Sequence, residues 1–384
     1  MPETAIRESQ PGWVLQSDQV ELFVTQLGGH MAPVTFYRDT PQARQPYFIS
    51  DWQNEGLEID EPVLVPLRGD FFCMPFGANL DPYQGEKHVV HGETSSSKWN
   101  LISLTEDDGV RSLVLDIDTK VRQGHVTKKI SLVNGQNVLY ITHTIEGFAG
   151  KTPLGHHANL AVPETEGTLK VSVGQIDLGM TYPILFGNPA NREYQSLAIG
   201  AEFSSLEEVP LIWKEPAVGD CSSFPQRTGH TDVLVVFKNP TSTPAWTTAV
   251  NTEEGYLWYA FKDAGQLPNT AFWIGNRGRH GAPWNGRNRV LGLEETCGYF
   301  AEGLAASVEP NRVNEKGFAT HVTLSADSPT VIRMIQGVVN VPPNFDRVKE
   351  VSFQGGGATF TSESGVTVST EVNTEFLQTG ALDT

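Results

Sequence analysis

Hydrophobic and polar residues alternate with a period of two along most of the chain. Such runs, bounded by turn residues, predict β-strands. The predicted strands are 18–25, 110–118, 125–133, 137–146, 169–178, 232–238, 256–261, 271–275, 290–295, 318–325, 330–336, 348–353 and 358–360. Asn134-Gly135, between two of these runs, is typical of a hairpin turn because both residues tolerate a positive φ. The pattern therefore predicts a chain dominated by antiparallel strands.

Helical periodicity is almost absent. Short helical turns are expected only near 204–209 and 300–306, and no segment reads as a β-α-β crossover. Many short antiparallel strands favour a sandwich or a barrel, and the lack of a visible repeat disfavours a propeller. With no clear domain boundary in the pattern, we expect one large antiparallel β-sandwich domain over residues 1–384.

The charge balance narrows the classes of function. The 384 residues include 27 Lys and Arg against 45 Asp and Glu, a formal net charge of -18. So acidic a chain is not drawn to nucleic acid or to an anionic membrane. The first residues show no signal-peptide pattern, and no apolar run is long enough for a transmembrane helix. The three cysteines are scattered without a CxxC pair. We therefore expect a cytoplasmic protein.

Two long segments without strand periodicity, 51–98 and 275–289, carry much of the candidate chemistry. The first contains Asn79 and His91, and the glycine after His91 indicates a close approach of the backbone. A loop histidine that only bonds a carbonyl oxygen fits the same pattern. The first segment alone therefore leaves a functional and a structural role open.

Two pairs of adjacent titratable residues lie within strand-like runs: His156-His157 and Glu294-Glu295. Because neighbouring side chains of a strand point to opposite faces, only one member of each pair can face a given site. Without a functional role, His156-His157 would be one core and one surface histidine, and Glu294-Glu295 would be an exposed acidic strand end. A glutamate that ends an apolar strand is seldom buried without a partner or a task.

A local excess of positive charge marks the segment 272–289. It holds two tryptophans and the arginines Arg277, Arg279, Arg287 and Arg289. Guanidinium groups bind hydroxyl, carboxylate or phosphate groups, and the flat ring of Trp284 offers an apolar wall. Sugars need this mixture of polar and aromatic contacts. Surface ion pairs, and tryptophans packed in the core, are the alternative interpretations.

The order of these motifs resembles that of the galactose mutarotase-like superfamily, which includes the aldose 1-epimerases. Asn79 and His91-Gly92 look like the first-loop motif of that family. His157-Ala158-Asn159-Leu160 and Leu293-Glu294-Glu295-Thr296 look like its second histidine and its glutamate. Leu80 follows Asn79 where the family usually has arginine. The matching motifs lie between residues 79 and 296.

The resemblance implies a β-sandwich enzyme that interconverts the anomers of a free or phosphorylated sugar. Glu294 would be the base that takes the proton of the C1 hydroxyl, and His157 the acid that protonates the ring oxygen. His91 would hydrogen-bond the developing charge, with Asn79 and His156 as further substrate-binding residues. No metal or cofactor is required. From chemistry alone, Arg277, Arg279 and Trp284 would bind hydroxyls or an anionic substituent.

Three other readings stay open at this stage. The same fold serves a carbohydrate-binding protein without catalysis. A glycosidase or lyase would need a second carboxylate facing Glu294, for which Asp81, Glu93 and Glu295 are the candidates. A metal-dependent enzyme would combine a glutamate with some of the three histidines named above, although the chain has no His-x-His motif.

Overall fold

The structure is a computed structural model that describes residues 4–382. Residues 1–3, part of the stretch read above for a signal peptide, lie outside the described residues. The strands up to residue 161 are β1 (Ala5–Arg7), β2 (Gln10–Gln16), β3 (Glu21–Thr25), β4 (Met31–Thr35), β5 (Phe72–Cys73), β6 (Asn100–Asp107), β7 (Val110–Thr119), β8 (Gly124–Val133), β9 (Val138–Glu146), β10 (Gly150–Thr152) and β11 (Leu154–Ala161).

Strands continue to dominate the rest of the described span. They are β12 (Leu169–Val173), β13 (Leu178–Thr181), β14 (Glu202–Phe203), β15 (Val209–Pro210), β16 (Val218–Gly219), β17 (Ser223–Phe224), β18 (His230–Phe237), β19 (Ala245–Asn251), β20 (Tyr256–Lys262), β21 (Asn269–Asn276), β22 (Arg289–Cys297), β23 (Val322–Leu324), β24 (Thr330–Asn340), β25 (Val348–Gln354), β26 (Gly357–Ser362) and β27 (Thr367–Glu371). Short helices are α1 (Leu304–Val308), α2 (Arg312–Glu315) and α3 (Phe376–Thr379), with 3₁₀ turns at Pro62–Leu64, Glu93–Ser95 and Pro189–Asn191.

Two large antiparallel sheets form the sandwich. The nine-stranded sheet has the order β17-β12-β19-β20-β24-β9-β8-β7-β6, and the seven-stranded sheet has the order β14-β13-β18-β21-β22-β11-β5. One apolar cluster joins them, with Ile141 and Trp258 from the nine-stranded sheet and Leu234 and Leu293 from the seven-stranded sheet. Period-two alternation turns these side chains to the inner faces. The predicted all-β antiparallel sandwich is confirmed.

The nine-stranded sheet is covered on its outer face as well. Along β20, Trp258 belongs to the inner cluster, while Tyr259 and Phe261 pack with the three-stranded sheet β25-β26-β27. The rings of Tyr259 and Phe360 lie 5.1 Å apart. Both faces of β20 are therefore buried, which explains why this run is apolar at nearly every position.

The Asn134-Gly135 signal marks a real hairpin between β8 and β9, but the turn differs from the predicted two-residue type. The connection has four residues, since β9 begins at Val138. Only Gly135, at φ 82°, has left-handed backbone. Gln136 donates its backbone N–H to the Val133 carbonyl at 3.2 Å and closes the turn.

The predicted strand 169–178 is wrong as a single element. Only its first half forms a strand, β12, which pairs with β19; residues 174–177 connect the two sheets, and Leu178 begins β13, which pairs with β18 in the other sheet. Alternation alone did not locate where β12 ends. The strands β2, β4, β19 and β27 were not predicted.

Neither helical prediction fits fully. Residues 204–208 form a turn between β14 and β15, in which the Ser205 hydroxyl accepts the backbone N–H of Glu207 at 3.2 Å. The helix predicted over 300–306 begins only at Leu304, because Phe300 (φ 49°) and Gly303 (φ 104°) have left-handed backbone that a helix does not allow. Among residues 4–382, no helix is long and apolar enough to cross a membrane.

A buried ion pair links the inner faces of the two sheets. Lys262 of β20 contacts the Glu295 carboxylate of β22, and both side chains are almost fully buried. Thr270 donates its hydroxyl to Glu295 at 2.7 Å, and Lys262 also donates to the Asn269 carbonyl. Each charge therefore has a partner and additional hydrogen bonds, as buried charges require.

We expect Glu295→Gln to lower the free energy of unfolding by about 3 kcal/mol, because Lys262 would keep a buried charge without its counterion. The double variant Lys262→Met with Glu295→Met should recover most of that loss, since it removes both charges. Urea unfolding measures both effects, with Glu371→Gln on exposed β27 as the control. Equal stability of Glu295→Gln and the control would contradict the role of this pair.

Candidate active site

The pairing of β11 with β22 brings two titratable side chains together. In this antiparallel register His157 lies opposite Glu294, and His156 lies opposite Glu295. Nε2 of His157 is 3.2 Å from Oε1 of Glu294, and only 5% and 4% of the two side chains are exposed. Two central strands thus hold an imidazole and a carboxyl group at hydrogen-bonding distance.

The other members of the two pairs point to the inside of the sandwich. Nδ1 of His156 lies 2.7 Å from Oδ2 of Asp70, and both side chains are fully buried. Glu295 faces Lys262 as described above. Adjacent residues of each pair point to opposite faces of the sheet, as expected. All four side chains are buried, so His156-His157 includes no surface histidine and Glu294-Glu295 is not an exposed strand end. The prediction that His156 binds substrate does not fit this placement, since its ring faces away from Glu294.

His91 reaches the pair from the long first loop. It has left-handed backbone at φ 58°, and the following Gly92 passes so near Met74 that a Cβ there would lie 2.0 Å from the Met74 carbonyl oxygen. The predicted close approach is therefore present. The rings of His91 and His157 make an edge contact at 4.9 Å. Nδ1 of His91 accepts the backbone N–H of Gly77 at 3.3 Å, which assigns the proton of the neutral ring to Nε2.

A cavity of about 300 Å³ opens over these three residues. Its aromatic walls are Phe71, Tyr182, Phe186, Trp273 and Trp284. Its polar lining consists of Glu61, His91, His157, Arg279 and Glu294. The ring of Phe71 stacks on His157 at 4.7 Å and fixes the imidazole plane. The cavity is concave and mostly apolar with a few convergent polar groups, the usual form of a small-molecule site.

The second long loop supplies one wall of the cavity. Between β21 and β22 it carries Arg279 and Trp284, and both line the cavity as the sequence predicts. The Arg279 guanidinium carbon lies 5.3 Å from the Trp284 ring and 5.6 Å from the rings of Trp273 and Phe186. These cation–π contacts hold the charged group in place without a carboxylate.

Two other predicted binding residues lie outside the cavity lining. Arg277 is about 40% exposed and approaches Glu164 at 3.8 Å. Asn79 is buried and donates to the carbonyls of Pro75, Gly77 and Val89, while its own oxygen accepts the backbone N–H of Leu304. Asn79 therefore ties together the loop that carries His91. Direct substrate contact by Asn79 or Arg277 does not fit these positions.

Burial controls the protonation of the three central residues. It raises the pKa of Glu294 to about 8 and lowers the pKa of His91 to about 3. The pKa of His157 is well below its ordinary value, first because of burial and then because of the nearby imidazoles of His91 and His30. Neutral forms are therefore favoured in the cavity at pH 7, with a carboxylic acid beside a neutral imidazole.

Several wall residues were not found from the sequence, among them Trp273, Phe71 and Glu61. One signal was present for Trp273. Gly292 lies opposite Trp273 and two residues before Glu294, on the same face of β22. A Cβ at Gly292 would lie 3.1 Å from the Cβ of Trp273 and 2.8 Å from Oε1 of Glu294, so this glycine makes the space that both side chains occupy.

The three carboxylates considered as partners of Glu294 lie elsewhere. Asp81 is exposed, Glu93 accepts the backbone N–H groups of residues 120 and 121, and Glu295 faces Lys262. Glu61 is the other carboxylate of the cavity lining. Within residues 4–382, no group of three or more His, Cys, Asp or Glu side chains is arranged to hold a metal ion.

The chain was compared with known proteins. No protein-family model matches it, and no curated protein matches it by sequence. Solved structures do match. A galactose mutarotase-like protein from Clostridium acetobutylicum is 12% identical, with 88% of this chain and 98% of that chain covered and a TM-score of 0.58.

Two further solved structures are similar to this chain over most of their length. The galactose mutarotase related enzyme from Lactobacillus acidophilus is 9% identical, with 88% and 100% of the chains covered and a TM-score of 0.54. YeaD of Salmonella typhimurium, provisionally named a mutarotase, is 13% identical, with 88% and 93% covered and a TM-score of 0.57. The chain has the galactose mutarotase-like fold, as the resemblance of its motifs implies.

The raised pKa of Glu294 has a consequence for stability. Its pKa is about 8 in the folded chain, above the ordinary 4.5, so an unfolded chain loses this proton first and folding takes it up again. The contribution of Glu294 to the free energy of unfolding therefore falls as the pH rises from about 4.5 to about 8. We expect Glu294→Gln to be more stable than wild type by roughly 2 to 4 kcal/mol at about pH 8.5, and nearly equal to it at about pH 4.5.

Urea unfolding at both pH values tests this expectation. Glu295→Gln is the matched control, because it changes the neighbouring glutamate and should be less stable than wild type at the higher pH. A stability difference between Glu294→Gln and wild type that does not change with pH would show that Glu294 is ionised in the folded chain.

Proposed function

We propose that the chain is a carbohydrate isomerase of the aldose 1-epimerase type, which interconverts the two anomers of a sugar. The observation that carries this proposal is the His157–Glu294 pair, 3.2 Å apart and facing one small cavity with aromatic walls. Anomer exchange needs one group that takes a proton from O1 and another that gives one to the ring oxygen, and both oxygens are bonded to the same carbon. The names of the structurally similar proteins agree with this class.

The size and lining of the cavity suit a monosaccharide. A volume of about 300 Å³ is at the lower end of ligand pockets, which run from about 300 to 1,000 Å³. The faces of Trp273 and Trp284 offer flat apolar surfaces for the C–H side of a pyranose ring. The polar lining offers hydrogen-bond partners for its hydroxyl groups.

In the proposed reaction the pair moves one proton across the sugar. The Glu294 carboxylate takes the proton of the C1 hydroxyl, while the His157 imidazolium gives its proton to the ring oxygen. The bond between C1 and the ring oxygen breaks and leaves an open-chain aldehyde. Rotation about the next carbon–carbon bond, followed by the reverse proton transfers, closes the ring on the other face. In net terms, ring opening removes one proton from O1 and adds one to the ring oxygen O5, and ring closure reverses both transfers.

The electrostatics of the pair favour ring opening. The step ends with a carboxylic acid beside a neutral imidazole, the two forms that burial favours. The reactive carboxylate–imidazolium form has the same single proton, moved from Glu294 to His157, so substrate binding has only to shift a proton within the pair. His91, neutral with its proton on Nε2, donates a hydrogen bond to the sugar oxygen that gains charge.

Exchange NMR on equilibrated aldoses tests the proposal directly, because it measures the rate of α/β interconversion. The panel is galactose, glucose, glucose 6-phosphate and a uronic acid. Wild type should accelerate at least one of them. Glu294→Gln should lose about 100-fold or more of that rate while keeping affinity for the sugar, and His157→Gln should lose a similar factor.

Glu371→Gln on the exposed strand β27 is the control that should keep the wild-type rate. Acceleration that survives Glu294→Gln would overturn the assignment of the base. Saturation transfer from the protein to a sugar, with no acceleration of any aldose, would replace the enzyme by a carbohydrate-binding protein. Neither signal with any sugar would overturn the substrate class.

The rate should depend on pH in a defined direction, because the pair works with one proton. Above about pH 8 Glu294 loses that proton to solvent while His157 stays neutral, so no acid remains for the ring oxygen. We expect kcat/KM to fall about tenfold per pH unit above about pH 8 and to show no step near the ordinary histidine pKa of 6.5. A loss of activity between pH 7 and pH 6 would contradict the neutral state of His157.

A further inference from the structure

One charged group of the cavity has no counterion. Arg279 lines the cavity, and no residue within 4–382 forms a hydrogen bond or an ion pair with its guanidinium. Its Nε is shielded from solvent and still lacks a partner. Shielding a guanidinium N–H from solvent without an acceptor is costly, so this group at the wall of a ligand cavity needs an explanation.

The neighbouring arginines of the loop differ from Arg279 in this respect. Arg277 and Arg289 both approach the exposed carboxylate of Glu164, and Arg287 forms a two-pronged pair with Glu55, with 2.7 Å between Nη2 and Oε2. The surface ion pairs considered for this segment therefore exist for three of its four arginines. Only the fourth, which lines the cavity, is left without one.

The surroundings of Arg279 position it without using its hydrogen-bonding edges. Three aromatic rings lie within 5.6 Å of the guanidinium carbon. Ring faces attract the positive charge but accept little of the directed hydrogen bonding that five N–H groups offer. Trp273 adds a second free donor on the same wall, since its Nε1 is buried and has no partner among the described residues. This wall thus presents unused donors and a positive charge.

The local charge indicates how much negative charge a ligand can bring. Arg279 is the cation of the cavity lining, and Glu61 contributes a carboxylate to the same lining. Glu193 acts electrostatically on Arg279 from nearby. A phosphate dianion would therefore meet one cation and two acidic neighbours. A carboxylate has a single charge, and its two oxygens match the planar fork of one guanidinium.

We propose that Arg279 binds a carboxylate group of the substrate, so that the preferred sugar is a uronic acid. This inference rests on the proposed function for the identity of the ligand as a sugar. The carboxylate would accept two hydrogen bonds from Arg279, with the Trp273 N–H as a further donor. The other end of the ring, with C1 and the ring oxygen, would then lie towards His157 and Glu294.

Calorimetric titration with glucuronate, galacturonate, glucose, galactose and glucose 6-phosphate tests the proposal. A uronate should bind wild type more tightly than the neutral sugar of the same configuration. Arg279→Met should weaken uronate binding roughly 10- to 150-fold, the loss expected for hydrogen bonds to a charged group, and change neutral-sugar binding less than threefold. Arg279→Lys should give an intermediate affinity, because it keeps the charge and loses the fork.

Arg287→Met is the matched control: it removes an arginine of the same loop that pairs with Glu55 and does not line the cavity. It should keep wild-type affinities. Urea unfolding of each variant identifies a folding defect, and Arg279→Lys retains the test if Arg279→Met unfolds. Equal uronate affinity in wild type and Arg279→Met would overturn the proposal, as would the absence of any uronate binding. Tightest binding of glucose 6-phosphate would assign Arg279 to phosphate instead.

The two proposals fail in different ways. If uronates bind through Arg279 but exchange NMR shows no faster anomer interconversion, the carboxylate site stands and the isomerase is wrong. If neutral aldoses are interconverted while uronates do not bind, the isomerase stands and the carboxylate site is wrong. Titration of Glu294→Gln separates the readouts, because this variant should bind uronate without turnover.

Discussion

The pleat of two adjacent strands, β11 and β22, is the constraint on which the site depends. Their register sets His156-His157 directly against Glu295-Glu294, and the strand period of two then separates the four side chains into two sets. His157 and Glu294 face the cavity, while His156 and Glu295 face the interior of the sandwich. A shift of one residue in this pairing would turn over the side chains of one strand, so that His157 and Glu294 would no longer face the same side of the sheet.

Buried titratable groups have different partners on the two faces of the seven-stranded sheet, the interior face and the cavity face. Inside the sandwich the Glu295 carboxylate contacts Lys262, and the Asp70 carboxylate contacts His156. In the cavity Glu294 has no cationic partner and its pKa rises to about 8, while Arg279 is held by ring faces alone. The Lys262–Glu295 pair therefore links the two sheets, whereas Glu294 and Arg279 have no ion-pair partner of opposite charge in the described part of the chain. This difference separates the polar groups of the interior from those of the cavity.

Much of the architecture could be predicted from short strand-like runs between turn residues, some alternating and some apolar at nearly every position because both faces of the strand are buried. Alternation could not show that the chain leaves one sheet after β12 and enters the other at Leu178. Alternation predicts that one histidine and one glutamate of the two pairs face the site. Which member of each pair does so depends on the partner strand. The resemblance favoured His157 and Glu294, and the structure brings these two together with His91.

Residue type alone does not decide which side chains line the cavity. Arg277, Arg279 and Trp284 were predicted from the chemistry of guanidinium and indole groups, but a loop has no fixed period that tells which side chains turn inward. Arg279 and Trp284 line the cavity and Arg277 does not. Asn79 was chosen for its motif, and its amide instead bonds four backbone groups. Phe71 precedes β5 and Trp273 lies in β21, and the residue type alone does not tell whether an aromatic ring packs in a core or lines a cavity.

Residues of paired strands and residues of an irregular loop both line the cavity, and this affects how its sequence can change during evolution. His157 and Glu294 sit on paired strands, where a change disturbs the register of a whole sheet. Arg279 and Trp284 sit on the irregular connection between β21 and β22, which tolerates insertion and exchange far better. Selection acting on that connection can therefore retune which molecules the cavity admits while the paired strands stay unaltered. Related chains can therefore keep the same paired strands and differ in the ligands that the cavity admits. Sequence similarity measured over the sheets alone would miss this difference.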